Sequence, residues 1–344
     1  MKNGISVLIC THNSSRRIEK TLSYLIKQKV RSAIPWEIVL VDNASTDGTG
    51  EIVNKFWDSE VPLWIICEPR LGVAYARITG IRKCRFSYIA IVDDDNWVPE
   101  NWVETAYDAM ESHPEACAIG GPSEAVFETP APEWFPRYSR NYAVGEQYDK
   151  PGLISDEKLL WGAGLIIRKE ALDILAGIGF EPVHESRKGH ALLSGEETEV
   201  LLLFKLMGFS SYYNPELKIQ HYMPNHRLQW RYFLRLKKAL GASSVYLDAY
   251  RSVIDCIHRG VKPNPDPWLK GIFESLGMTL RDPLALLAGL FLIKQGNFRV
   301  ANACFHLGRF IQKFKLGSDY EILQDVLYNK YASLLNAWKN NKST

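Results

Sequence analysis

Short apolar runs alternate with amphipathic stretches through the first hundred residues. Ile5-Ser-Val-Leu-Ile-Cys10, Trp36-Glu-Ile-Val-Leu-Val41, Leu63-Trp-Ile-Ile-Cys67 and Tyr88-Ile-Ala-Ile-Val92 are brief, rich in β-branched residues and closed by polar or turn residues. Runs of that length and composition predict buried strands. Between them, Ile18, Leu22, Leu25 and Ile26 recur at helical spacing. Ser45-Thr46-Asp47-Gly48 offers helix-start chemistry ahead of Ile52, Val53 and Phe56. A third helix, rich in small residues, is predicted from about Gly72 to Lys83. This strand–helix alternation predicts a doubly wound, mostly parallel sheet flanked by helices. Such sheets bind ligands at the carboxyl ends of their strands. Thr11-His12-Asn13, Asp42-Asn43, Arg70 and Asp93-Asp94-Asp95 all fall at those ends.

The pattern then changes. Residues 128–152 carry Pro130, Pro132, Trp134, Phe135, Pro136, Tyr138, Tyr142 and Tyr148, an excursion that reads as an ordered loop. Leu159 to Ile167, containing Trp161-Gly162-Ala-Gly164, returns to strand type. A charged loop, Glu181 to Ser194, precedes Gly195-Glu196-Glu197-Thr198-Glu199 and a helix to about Met207. Leu217 to Tyr222 is a last strand. Beyond about Asn225 the pattern is helical, which predicts a first domain over 1–225 and a helical extension over 226–344. Trp230 to Leu240 mixes basic and aromatic residues. It suits either a bilayer interface or a helix that buries Phe233, Leu236 and Leu240 and turns its cations to solvent. The longest apolar run, Pro283 to Ile293, is far short of a membrane span and predicts a buried helix.

Composition narrows the function classes. The net charge of the 344 residues is only +2, and no basic stripe runs through the α/β part, so nucleic acid is not an expected partner. Six cysteines without a CxxC pair argue for reduced, mostly buried thiols in a cytosolic protein, and against a structural zinc site. Met1-Lys-Asn-Gly runs at once into a strand, so no secretory signal is expected.

Chemistry concentrates at Asp93-Asp94-Asp95-Asn96, where an apolar strand ends in three adjacent carboxylates. These repel one another unless a cation sits among them. A hard divalent ion such as Mg2+ or Mn2+ takes oxygen ligands and bridges carboxylates to substrate phosphates. A solvated acidic turn is the alternative.

Five stretches in order resemble a family 2 glycosyltransferase with the GT-A fold. They are Val7 to Asn13, Val41 to Thr49, Leu71 to Arg77, Val92 to Asn96 and Gly195 to Glu199, and the resemblance covers about residues 4–225. It implies a Rossmann-like GT-A sheet and an inverting, Mn2+- or Mg2+-dependent transfer of a sugar from a nucleoside-diphosphate donor, UDP by preference. The acceptor would be a glycan or lipid-linked glycan, in polysaccharide or glycoconjugate assembly. It implies that Thr11, Asn13, Asp42, Arg77, Asp93 and Asp94 hold the donor, and that Asp95, with Asp93 and His221, faces the metal. Glu197, or its neighbour Glu196, becomes the general base. Trp161 and Gly162 become the acceptor side, where an indole face stacks on sugar. A cytoplasmic location, peripheral to the cytoplasmic face of the membrane, is the matching expectation. Two rival readings are a glycan- or nucleotide-binding module that has lost catalysis and a nucleotidyltransferase. The absence of glycine from Thr11 to Arg17 counts against the second.

Overall fold

The computed structural model describes residues 2–154, 159–177, 196–263, 268–281 and 295–342. The charged loop 181–194, Gly195 and the apolar run 283–293 lie outside them. The chain divides into two compact units, and both are built from discontinuous segments.

The first unit comprises Met1–Val126, Ala143–Glu181 and Gly208–Tyr222. It opens as the hydrophobic pattern predicts: β1 (Lys2–Thr11), α1 (Ile18–Ile26), β2 (Trp36–Asp42), α2 (Thr49–Phe56), β3 (Leu63–Cys67), α3 (Val73–Lys83) and β4 (Phe86–Ile91). There follow β5 (Asn96–Trp97), α4 (Trp102–Ser112), β6 (Ala116–Gly120) and β7 (Ser123–Phe127). The series ends with β8 (Gly152–Ile154), β9 (Ile166–Arg168), α5 (Lys169–Gly177), β10 (Ser210–Tyr213) and β11 (Ile219–Met223).

Eight strands form one sheet in the order β3-β2-β1-β4-β9-β6-β10-β8. β1 lies between β2 and β4, parallel to both. Its residues Ile5, Val7, Leu8 and Ile9 are fully buried, as expected for a central parallel strand covered on both faces. Helix α3 lies close on this strand: a Cβ at Gly80 would collide with Leu8 Cδ1. β9 enters antiparallel between β4 and β6, so the sheet is mixed on that side. A smaller sheet, β5-β11-β7, stands beside it.

Two expectations need correction. The strand expected from Leu159 to Ile167 is confined to Ile166–Arg168. Gly164 adopts φ +70°, and the Leu165 amide bonds the Gly162 carbonyl, so the chain turns before it can extend. The thiols are less buried than expected: only Cys84 and Cys117 are buried, and Cys67 is exposed. Cys67 lies on β3, the sheet edge, where Trp64 and Ile65 are exposed as well. All six cysteines are free.

The second unit comprises Phe127–Tyr142, Pro182–Met207 and Met223–Thr344. Its described helices are α6 (Glu196–Leu206), α7 (Trp230–Arg259), α8 (Trp268–Leu280), α9 (Phe298–Leu316) and α10 (Asp319–Lys342). The Pro- and aromatic-rich excursion folds into two short helical turns, Phe135–Tyr138 and Ser139–Tyr142. Trp134 and Tyr138 pack on Phe233 with ring centroids 5.3 and 4.5 Å apart, and Trp134 meets Trp230 edge-on at 5.2 Å. The aromatic side of the 230–240 stretch is therefore spent inside its own unit, with Trp230, Phe233 and Leu236 buried while Arg231, Arg235 and Lys238 are exposed. No helix among the described residues is long and apolar enough to cross a membrane.

α7 and α9 cross at two glycines. A Cβ on Gly241 would fall on the Phe305 carbonyl oxygen, and one on Gly308 on the Lys238 carbonyl oxygen. Neither neighbour is a side chain that can swing away. Gly308→Val is therefore expected to force the helices apart and cost about 2–3 kcal/mol, read as a lower urea midpoint at unchanged slope.

Candidate functional site

The parallel order around β1 reverses between β1 and β4, and that reversal opens a crevice at their carboxyl ends. β1 ends at Thr11, in register with Asp42 at the end of β2. The acidic triplet leaves β4 on the other side of the crevice, and its three carboxylates take different directions.

Asp94 turns into the protein, its side chain 10% exposed. It accepts Thr11 Oγ1 at 2.6 Å and both Nε and Nη2 of Arg17 at 2.9 Å. Its backbone carbonyl accepts Thr21 Oγ1 at 2.9 Å. Ser14 Oγ closes the cluster against Thr11 Oγ1. The central carboxylate is thus held by donors of the chain itself, and Asp93 and Asp95 are left on either side of it.

Asp93 lies 3.7 Å from Arg77 Nη2. Arg77 sits on α3, buried apart from a tenth of its side chain. Asp95 is buried, with Oδ1 3.6 Å from His221 Nε2 and 3.1 Å from Asn96 Nδ2. His221 reaches it because β11 pairs antiparallel with β5, His221 opposite Asn96, and the Tyr222 amide bonds the Asp95 carbonyl at 2.9 Å. A histidine remote in sequence is thereby locked beside the last aspartate.

The loops after β1 and β2 are tied together. Asn13, at φ +49°, accepts the Thr46 amide at 2.8 Å on Oδ1 and donates its own amide to Ser45 Oγ at 3.0 Å. His12 Nδ1 donates to the Asn43 carbonyl at 2.7 Å. Asp42 Oδ1 accepts the Ser45 amide at 3.2 Å, which is turn chemistry. Its Oδ2 lies over Gly50, where a Cβ would come within 2.9 Å. Asp47 accepts the amides of Thr49 and Ser15, so it organises the start of α2. Burial alone would raise its pKa, but a bond from the Thr49 hydroxyl, with those from Ser15 and the Thr49 amide, outweighs it and draws the carboxyl down to about 2. Buried Asn43 donates to the Glu68 and Arg70 carbonyls and accepts the Gly72 amide, stapling β2 to the start of α3.

The two arginines after β3 separate clearly. Arg70 forks onto Glu68 at 2.9 and 3.0 Å, and its side chain is 61% exposed. Bonds from Arg70 and Thr79 draw the Glu68 carboxyl down to about 2. Arg70 is thus the structural ion-pair partner, and Arg77 is the cation set beside the acidic turn.

Trp161 and Gly162 stand in the turn before β9, half-buried. The Trp161 amide bonds Oε1 of buried Gln147 at 2.7 Å, and Gln147 Nε2 donates to the Gly121 carbonyl at 2.6 Å. In the second unit, Glu196 and Glu197 begin α6, with Glu197 half-buried. Glu199, two residues on, is fully buried and accepts the Tyr331 hydroxyl at 2.9 Å. Burial and the neighbouring Glu199 push the Tyr331 hydroxyl far above the ordinary tyrosine range. Within that acidic turn Glu199 is therefore a packing group that joins α6 to α10.

A divalent cation fits this donor set in part. Among the described residues no three His, Cys, Asp or Glu side chains are grouped to hold one. Asp95 and His221 supply a carboxylate oxygen and an imidazole nitrogen within 4 Å of each other, both about nine-tenths buried. That pair would suit Mn2+ better than Mg2+.

The residues missed from sequence are Arg17, Thr21 and Glu68. Arg17 and Thr21 lie one helical turn apart beside the apolar stripe of α1, a spacing that could have marked a second contact face. Glu68 takes Arg70, two residues on, and Thr79 of the next helix, pairings that the apolar pattern does not mark.

Residues 6–175 match the profile described as Glycosyl transferase family 2. A glucosyl-dolichyl phosphate glucuronosyltransferase of Haloferax volcanii is 22% identical over 66% of this chain and 71% of its own length. Glycosyltransferase GlyG of Streptococcus pneumoniae is 32% identical over 35% of this chain and 39% of its own. Among solved structures, the mannosyltransferase PcManGT of Pyrobaculum calidifontis, in complex with GDP-Man and Mn2+, has a TM-score of 0.55 at 17% identity, covering 97% of this chain and 86% of that one. S. aureus TarS 1–349 with UDP-GlcNAc has a TM-score of 0.52 at 16% identity, covering 98% and 89%. These likenesses establish a GT-A fold.

Asp47 and Glu68 titrate below their ordinary values of 3.8 and 4.5. A depressed carboxyl contributes stability that is complete above its unfolded pKa and is lost as the pH falls through its folded one. Stability should therefore decline from about pH 4.5 toward pH 2. Glu68→Gln is expected to shrink the drop in urea midpoint between pH 5 and pH 3 relative to the unaltered protein.

Proposed function

We propose that this chain, a member of glycosyl transferase family 2 through residues 6–175, transfers a sugar from a nucleoside-diphosphate-sugar to a hydroxyl of a glycan or lipid-linked glycan. Transfer inverts the anomeric carbon, and UDP is the preferred carrier. The observation that carries this reading is the division of the acidic triplet. Asp94 is held inward by Arg17 and Thr11, while Asp93 lies by Arg77 and Asp95 by His221.

Each residue then has a task its chemistry suits. Asp42 and the loop built around Asn13 hold the base and ribose, a carboxylate being able to accept a base N–H. Arg77 offers a permanent cation to the diphosphate. Asp93 reaches the donor's ribose or the metal's water shell. Asp95 and His221 hold the divalent cation, which when bound supplies Lewis-acid stabilisation of the leaving diphosphate. Glu197 takes the proton of the acceptor hydroxyl, with Glu196 as its alternative. The indole of Trp161 and the backbone at Gly162 receive the acceptor. The complexes of PcManGT and TarS with nucleotide sugars support the class of donor.

The test is a thermal-shift series with UDP, GDP, dTDP and CDP, each with and without Mn2+. The expected result is a rise in Tm with one nucleotide that requires the metal; no rise with any of them would overturn the reading. Asp95→Ala should abolish the metal-dependent part of that rise. Glu197→Gln should leave nucleotide binding intact and lower transfer by at least about 100-fold, a loss in the range general-base removal gives. Near-normal transfer by Glu197→Gln would pass the role to Glu196.

A further inference from the structure

Helix α1 touches the acidic segment along one whole face. Arg17, at its N-cap, grips the Asp94 carboxylate through two nitrogens. Thr21, one turn on, bonds the Asp94 carbonyl. Tyr24 stacks on Trp97 with centroids 5.6 Å apart and planes 6° from parallel. Gln28, just past the helix, donates to the Pro99 carbonyl at 2.6 Å and accepts the Val103 amide at 3.0 Å. Positions 17, 21, 24 and 28 follow the helical repeat, so one stripe holds the segment from 94 to 103. Trp97 in turn stacks on Tyr222 at 5.4 Å, and Tyr222 follows His221.

We infer that Arg17 is a positioning residue for the metal-and-donor turn: by binding Asp94 it holds Asp93 and Asp95 apart on the two sides of the turn. This rests on the transferase reading. Three adjacent carboxylates repel one another at close range unless each meets a compensating group. Arg17 compensates the middle one through a planar fork, which fixes orientation as well as charge. Thr21 fixes the backbone of the same residue. Without Arg17, the largely buried Asp94 carboxylate loses its bidentate partner and turns toward other donors, which shifts the peptide units that carry Asp93 and Asp95. Groups that orient metal ligands in this way typically affect metal affinity by about 10–100-fold when removed.

The experiment compares the full chain with Arg17→Ala and Arg17→Lys. Calorimetry measures Mn2+ affinity in the presence of whichever of UDP, GDP, dTDP or CDP the unaltered protein binds. Thermal melting without ligand measures stability separately. The expected result is a loss of Mn2+ affinity of about 10–100-fold for Arg17→Ala, with Arg17→Lys intermediate because an ammonium keeps the charge but not the fork. If Arg17→Ala does not fold, the intermediate loss in Arg17→Lys carries the test. Variants that melt lower but bind Mn2+ like the unaltered protein would show a purely structural role and overturn the inference alone. No metal-linked nucleotide binding by the unaltered protein would overturn the transferase reading and this inference together.

Discussion

Charge compensation at the end of β4 is the constraint on which the first unit's site depends. Two like charges 4 Å apart repel by about 4 kcal/mol at the effective dielectric of a protein surface, and here three carboxylates are adjacent in sequence. The fold gives two of them a cation, Arg77 for Asp93 and Arg17 with Thr11 for Asp94, and sets the His221 ring 3.6 Å from Asp95. The arginine that meets Asp94 does so by a bidentate fork, the geometry that best offsets the desolvation of a largely buried carboxylate. The triplet is therefore an ordered turn with a defined inside and outside.

Topology makes those pairings available. β1 lies between β2 and β4, so the loops that leave its carboxyl end face both neighbours. Thr11 and Arg17 belong to the first loop and the start of α1, and Arg77 to the helix after β3. The small sheet adds the histidine by pairing β11 with β5 immediately after the aspartates. Asn43 spans the interval between β2 and α3 with three hydrogen bonds to backbone, which keeps the loop that precedes Arg77 in place. Each of these is a backbone or buried polar contact whose loss leaves an unsatisfied group, so the crevice is built from parts that resist adjustment.

The helical unit rests on a different principle. Its contacts between α7 and α9 depend on glycines that admit a backbone carbonyl of the facing helix, and its aromatic cluster absorbs the rings that a sequence reading would offer to a bilayer. Glu199 shows the same economy. In sequence it is one of three acids at a helix start, yet its side chain is buried on Tyr331 while Glu197 is only half-buried. A local acidic pattern cannot distinguish these two, because the distinction comes from α10, more than a hundred residues later.

What could be read without coordinates was local and periodic. The apolar runs determined the first four strands, the helical spacing determined α1 to α3, and parallel connectivity put Thr11, Asp42 and the aspartates at one end of a sheet. The sheet's far side was less legible. β9 is three residues long, and its antiparallel insertion depends on the turn at Gly164. The burial of Cys67 was misread because an apolar run does not reveal whether its strand is central or at an edge. Which aspartate faces inward was likewise undecided, since three identical side chains carry no register. Only the tertiary structure decided it, by setting Arg17 of α1 against Asp94 and His221 of β11 against Asp95. Periodicity records which residues leave water; it does not record which charged groups meet after the chain has closed on itself.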